Sequence, residues 1–316
     1  MAQRSWFCNP HRIMVELRPT ALAVACCAAV MLTFPGFVHA QAAPPPPPPS
    51  SQASQDEDDA RVKPAEPDFA LVNLPTSLVL PRQRGNFRLT HRFLGNLRQG
   101  SFTDNFSNLF GIDNGAVIGL EFRYAPVRRL QVVFFRSSQD KTIQFSGSYN
   151  WLYQDGFLPV GVTPFVSIEG TNNFKGTFAE GDSHEHDHPG SEAHRSPAFG
   201  AVLSRTVGDR LALYVVPTWV GHTLATDDGH RNTWFVGLGA RARILQRTYV
   251  VGEVTPRTNG YVAGDAEYAF GIEKRVGGHM FLLTFTNSFA STNGQLARGG
   301  APGAIYMGFN IGRKFF

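Results

Sequence analysis

The chain has 316 residues, 42% of them hydrophobic and 12% aromatic, with 29 basic against 25 acidic side chains. A net charge of +4 is too small to argue for nucleic acid as a partner. The three cysteines, Cys8, Cys26 and Cys27, all precede residue 41. The remainder of the chain therefore has neither a disulfide framework nor a thiolate metal site.

Residues 1–40 read as a signal peptide. Arg4, Arg12 and Arg18 supply positive charge, and residues 21–34 are an apolar run too short to span a bilayer as a helix. Val38-His39-Ala40 is a small-x-small cleavage pattern, so the mature chain is expected to start at Gln41. Residues 41–84 read as a periplasmic linker. It opens with six prolines, Pro44 to Pro49, which favour an extended chain, and continues through the acidic run Asp56-Glu57-Asp58-Asp59. Such a tract is a spacer or a docking segment for a periplasmic partner. Its last part, residues 65–84, is more apolar and is broken by Pro75 and Pro81. That part reads as a short strand or a lumenal plug.

From Gly85 to the end, period-two alternation dominates, and residues 85–316 are expected to form an outer-membrane β-barrel. Residues 86–93 set Phe87, Leu89, His91 and Phe93 against Arg88, Thr90 and Arg92. Residues 116–125 set Ile118, Leu120, Phe122 and Tyr124 against Gly119, Glu121 and Arg123. Residues 141–153, 232–244 and 304–316 alternate in the same way, the last with Ile305, Met307, Phe309 and Ile311 on one face. Shorter candidates lie at 130–137, 161–170, 197–207, 211–221, 248–255, 266–275 and 279–288. The total is about twelve strands, each near the length that crosses an outer membrane obliquely.

The connections alternate long and short after the first strand. The long ones include 94–115, 171–196, 222–231, 256–265 and 289–303; the short ones include 126–129, 208–210, 245–247 and 276–278. Membrane barrels have long outer loops and tight periplasmic turns. A soluble β-sandwich would require no such asymmetry. The even count puts both barrel ends in the periplasm, where the linker must be. Tyr124, Trp151, Tyr153 and Tyr249 are expected in the periplasmic aromatic girdle, and Trp219, Trp234, Tyr268 and Tyr306 in the outer one. The fold expected is an all-β, closed antiparallel transmembrane barrel in the bacterial outer membrane, in contact with outer-membrane lipid.

Several stretches resemble a known family. They are Thr90-His91-Arg92-Phe93, then Leu109-Phe110-Gly111-Ile112-Asp113-Asn114-Gly115-Ala116, and Gly252-Glu253-Val254-Thr255-Pro256. The most specific runs from Gly271-Ile272-Glu273-Lys274-Arg275 through Val276-Gly277-Gly278-His279-Met280-Phe281, and the last is Gly308-Phe309-Asn310-Ile311-Gly312-Arg313-Lys314-Phe315-Phe316. Together they resemble an uncharacterised family of bacterial outer-membrane β-barrels that carries only a domain-of-unknown-function label. The resemblance implies the barrel and its location; it brings no activity and no catalytic residues.

The inward face carries charges of both signs. Arg88, Arg92, Arg123, Arg241 and Arg243 stand against Glu121, Glu169, Glu253 and Glu273, and all are expected to line the lumen. Charges taken out of water need partners. A salt-bridged, nearly closed structural lumen and a narrow water-filled pore whose arginines favour anions both fit this set. No cofactor is expected apart from weak Zn²⁺ or Cu²⁺ at a histidine-rich outer loop, residues 181–194. There His184, His186, His188 and His194 accompany Glu185 and Asp187. No spacing supports a catalytic triad; His279 and Ser288 are too far apart along one strand to touch. The functional expectation is a narrow, non-enzymatic channel for passive passage of small solutes. The alternatives are a structural or docking barrel and, behind it, a lipid-modifying barrel enzyme.

Overall fold

The structure, a computed structural model, describes residues 64–154, 158–174, 195–226, 229–258 and 265–315. The expected signal peptide, the linker as far as residue 63 and the four loop histidines lie outside the described residues. Twelve antiparallel strands close into a barrel. They are β1 (Gly85–Asn96), β2 (Ala116–Val127), β3 (Leu130–Ser137), β4 (Ile143–Tyr149), β5 (Gly161–Gly170) and β6 (Arg195–Val207). The meander continues with β7 (Leu211–Thr226), β8 (Gly229–Leu245), β9 (Thr248–Thr255), β10 (Glu267–Val276), β11 (His279–Thr286) and β12 (Tyr306–Phe315). Each strand pairs with its sequence neighbours, and β12 returns to β1 with Gly85 opposite Phe315 and Leu89 opposite Ile311. Closure satisfies every ladder group within the protein, as a lipid surrounding demands.

Burial follows the alternation and is inverted relative to a soluble sheet. Phe87, Leu120, Phe122, Phe134, Phe145, Ile168, Leu238 and Phe281 are exposed on the outer face, while Arg88, Gln131, Gln144, Arg241, Glu253 and Glu273 are buried on the inner one. An apolar exterior around a polar interior is what hydrocarbon on one side selects. At the outer rim Trp219 lies opposite Trp234 across β7 and β8, and Phe199 stacks on Trp219 at 5.1 Å.

Two expectations are corrected. Tyr249 does not join the periplasmic girdle: it shares the inward face of β9 with Val251 and Glu253 and is 1% exposed. The expected loop 222–231 is mostly ladder, because β7 and β8 run on for 16 and 17 residues and pair again from Leu224 opposite Arg231 to Thr226 opposite Gly229. Above the membrane rim a strand needs no apolar face, so the periodicity that marks the lower part fades there. Loop 94–115 stays outside the lumen as α1 (Phe102–Ser107), closed by a Ser101–Asp104 capping box, and a 3-10 segment (Leu109–Asn114). Phe102, Phe106 and Leu109 in it are exposed.

Candidate functional site

The lumen is filled from both ends. Residues 64–80, placed with the linker by their position in the sequence, lie inside the barrel, the plug alternative raised for this stretch, and exposed residues 81–84 lead into β1. The prolines within 64–80 prevent a continuous strand, and the chain folds back on itself instead. The Leu71 N–H donates to the Leu74 carbonyl at 2.9 Å, the Thr76 N–H to the Phe69 carbonyl at 3.0 Å, and Ala70 bridges Pro75. The tip of this turn presents three successive backbone N–H groups, an arrangement that favours an anion. The anion is Glu253 of β9: its carboxylate accepts from Val72 at 3.0 Å, Asn73 at 2.8 Å and Leu74 at 3.1 Å.

The carbonyls of the same segment meet cations and amides. Arg88 of β1 and Asn310 of β12 donate to the Val72 carbonyl, and Lys314 donates to that of Pro67. Arg241 of β8 holds Glu273 of β10 through two hydrogen bonds, 2.7 and 2.8 Å, and turns a third N–H to the Ala70 carbonyl at 2.6 Å. Arg92 donates to Asn310 at 2.7 Å and to the Asn73 side chain at 3.2 Å, and Glu267 accepts from Asn73 at 3.0 Å. Glu66 of the plug accepts from Tyr214 at 3.0 Å and from Ser77. Towards β3 and β4 the contacts are neutral: Gln131 donates to the Leu78 carbonyl at 3.0 Å, and Asn150 to that of Ser77 at 3.0 Å.

Between these polar contacts the plug is packed dry on one side. Leu71, Val72 and Leu74 are wholly buried in a core with Val202, Val216, Phe235, Val251 and Leu282. Each such side chain contributes on the order of 1.5–3 kcal/mol on burial. The wall makes room for them with glycine: a Cβ on Gly239 would stand 2.2 Å from Leu71 Cδ1.

The long-loop end is closed by the connection between β11 and β12. Its helix α2 (Asn293–Arg298) has Gly294, Gln295, Leu296 and Ala297 buried. The Thr292 side chain caps it, the Gly294 N–H donates to Glu169 of β5 at 2.9 Å, and Asn293 donates to Ser167 at 2.8 Å. Glycine at 294 allows this close approach: a Cβ there would stand 2.2 Å from Glu169 Oε1 and push the carboxylate away. Leu296 and Ala297 join the core of Leu71 and Leu74. This second filling was not anticipated; 289–303 read only as a long outer loop. Its signal was the apolar pair Leu296-Ala297 among small residues.

A cavity of about 70 Å³ remains, lined by plug residues Val72 and Asn73, by Arg88, Glu121, Arg123 and Ser146 of β1, β2 and β4, and by Thr292. That is room for about two waters. Arg123 and Glu121, two residues apart on β2, pair on its wall at 3.1 Å. Of the expected lumenal charges, Arg88, Glu121 and Arg123 border this space, whereas Arg92, Glu169, Arg241, Glu253 and Glu273 are clamped to the plug, to α2 or to one another. Arg241, expected to line the lumen, is fully buried within it. Arg243 shares its face of β8 and is half-buried near the short turns. Lys314, Glu267 and Asn310 also hold the plug and were not singled out. Each belongs to an inward-facing register that the alternation does reveal.

No group of three or more metal-ligating side chains occurs among the described residues. His279 opens β11 and Ser288 lies beyond its far end, and the Ser288 hydroxyl is turned to the Gly299 carbonyl at 3.4 Å.

Among solved structures the chain is similar to the NanC porin, with 9% identity, a TM-score of 0.44, and coverage of 74% of this chain and 100% of that one. It is similar to the COG4313 outer membrane channel of Pseudomonas putida F1, with 10% identity, a TM-score of 0.43, and coverage of 75% and 97%. The outer membrane protein Omp33 of Acinetobacter baumannii gives 8%, 0.35, and coverage of 75% and 99%. No claim about activity rests on likenesses of this size. No curated protein matches. The profile of one family covers residues 68–315, and so begins inside the lumenal segment. The chain belongs to that family, described as a membrane bound beta barrel domain (DUF5777), and with its closed ladder and apolar belt it is a barrel of the bacterial outer membrane.

Proposed function

We propose that this barrel is a narrow, non-enzymatic channel for small hydrophilic solutes, closed in the conformation described by residues 64–80. The observation that carries the proposal is the unequal grip on the plug. Towards β6–β11 it is packed in an apolar core and anchored by Glu253, Arg241 and Tyr214. Towards β1–β5 it borders a cavity whose wall carries Arg88, Glu121, Arg123, Gln144, Ser146 and Ser148 among apolar side chains such as Phe135 and Phe165. A shift of the turn at Val72 and Asn73 away from β1–β5 would join that cavity to a polar strip across the barrel. Arg88 and Arg123 against Glu121 leave that strip positive, which favours anions.

Proteoliposomes holding the refolded protein test this through the flux of a small carboxylate and an amine of matched size. Faster passage of the carboxylate, with the preference lost in R88Q/R123Q, is expected. Equal rates would remove the anionic preference, and no flux of either solute would remove the channel.

The dry core itself favours a second reading, a filled scaffold. Its work would be to present residues 41–63 to a periplasmic partner and its loops to the exterior. Under both readings we infer weak capture of Zn²⁺ or Cu²⁺ by His184, His186, His188 and His194. A linear run of imidazoles can wrap a cation, at an ordering cost that keeps affinity below that of a structural zinc site.

A further inference from the structure

The stretch that carries the family resemblance most specifically, residues 271–281, and the last such stretch, residues 308–316, meet at the short-turn end of the barrel, outside the lumen. Across β10, β11 and β12 the registers set Lys274 beside Phe281 and Phe281 beside Ile311; one row nearer the turn, Val276 lies beside His279 and His279 beside Arg313. All six belong to the lipid-facing register. Arg313 and Lys274 are exposed, and the Arg313 guanidinium donates to the imidazole of His279 at 2.9 Å.

Neither cation has an acidic partner among the described residues. Every described strand carboxylate, including Glu273 next to Lys274 in sequence, projects into the lumen. Asp209 is the only described carboxylate in the short turns. Diagonal neighbours in an antiparallel pair stand about 7–8 Å apart, so Lys274 and His279 flank a gap the size of a phosphate. Phe281 and Ile311 lie one row above His279 and Arg313 and level with Lys274, whose long side chain can reach down to the headgroup depth.

We propose that Lys274, His279 and Arg313 form a binding site for the headgroup of an anionic glycerophospholipid in the periplasmic leaflet. The cations and the imidazole N–H donate to the phosphate oxygens, and the first acyl carbons lie on Phe281 and Ile311. Two cations near a membrane surface raise affinity about fivefold each, so a preference of about 25-fold over a zwitterionic lipid is expected.

The test is native mass spectrometry of the refolded full chain, offered dioleoylphosphatidylglycerol or dioleoylphosphatidylcholine. The wild type should retain the anionic lipid preferentially, and K274Q/R313Q should retain both equally. R205Q/R210Q, which removes two exposed cations elsewhere on the same rim, should behave as wild type. If the double variant does not fold, K274Q and R313Q separately should each remove about fivefold of the preference. Equal retention of the two lipids by the wild type would overturn the proposal, as would an undiminished preference in K274Q/R313Q. Displacement of the lipid by excess inorganic phosphate would reduce the site to one for small anions and overturn the lipid assignment.

Discussion

Replacing Glu253 with glutamine should loosen the plug without disturbing the barrel. The carboxylate serves three backbone donors, Val72 and Leu74 through one oxygen and Asn73 through the other. Glutamine keeps a single acceptor. If its oxygen serves Val72 and Leu74, its amide group faces the Asn73 N–H, donor against donor. One buried donor is then stranded, at a cost of about 1–3 kcal/mol, and two charge-assisted bonds become neutral, losing several tenths to about 1 kcal/mol each. A total of about 2–5 kcal/mol corresponds to opening of the turn about 30- to 4,000-fold more often. Hydrogen exchange of the refolded full chain reads this directly, because local opening sets amide protection. Peptides spanning 68–80 should exchange faster by about that factor, with β9 and β10 unchanged. Unchanged protection across 68–80 would refute the claim that the Glu253 carboxylate anchors the plug.

Arg241→Met should strand Glu273 without a counter-charge inside the barrel and lower stability by about 3–5 kcal/mol, seen as a lower temperature for loss of heat-modifiable mobility; R241M/E273L should recover most of it. A protease added to intact cells should cut within residues 171–196 and spare 44–63, and the opposite pattern would invert the topology. Replacing His184, His186 and His188 with alanine should abolish most of the calorimetric heat of Zn²⁺ binding at neutral pH while the barrel stays folded. In the wild type that heat should fall as the pH drops below about 6.5, since a protonated imidazole cannot ligate. Equal heats in the two proteins would leave the loop without a metal role.

The wall was legible because lipid and lumen impose opposite chemistries on alternate residues, and that contrast is written at period two. β3, β5 and β9 have the expected bounds, whereas β4 is shorter at both ends than the expected 141–153: Lys141 belongs to a 3-10 turn, and past Tyr149 Asn150 leaves the ladder to serve the plug and Thr163. The contents of the barrel were less legible, because they are held by backbone groups. Glu253 and Arg88 grip N–H and C=O groups that every sequence possesses, so nothing in residues 70–75 announces the partner. Leu71 and Leu74 fit against glycines of β8 that alternation counts merely as small inward positions. Loop 289–303 shows the same limit from the other side: its insertion depends on Gly294 passing within reach of Glu169, a meeting across 125 positions of sequence that no local pattern encodes. Tyr249 was misplaced because an aromatic near a turn fits a girdle or a lumen equally, and only its parity with Val251 and Glu253 decides.

The central claim, that residues 64–80 close a passage through this barrel, is tested most directly by single-channel recording of the refolded protein in a planar bilayer. The account predicts brief, infrequent openings of small conductance for the wild type. For Glu253→Gln it predicts openings of the same conductance, more frequent by a factor within the range derived for the plug. Silence from both proteins, each shown to be folded by heat-modifiable mobility, would contradict the channel and leave a filled scaffold. A wide, permanently open wild-type pore would contradict the plug.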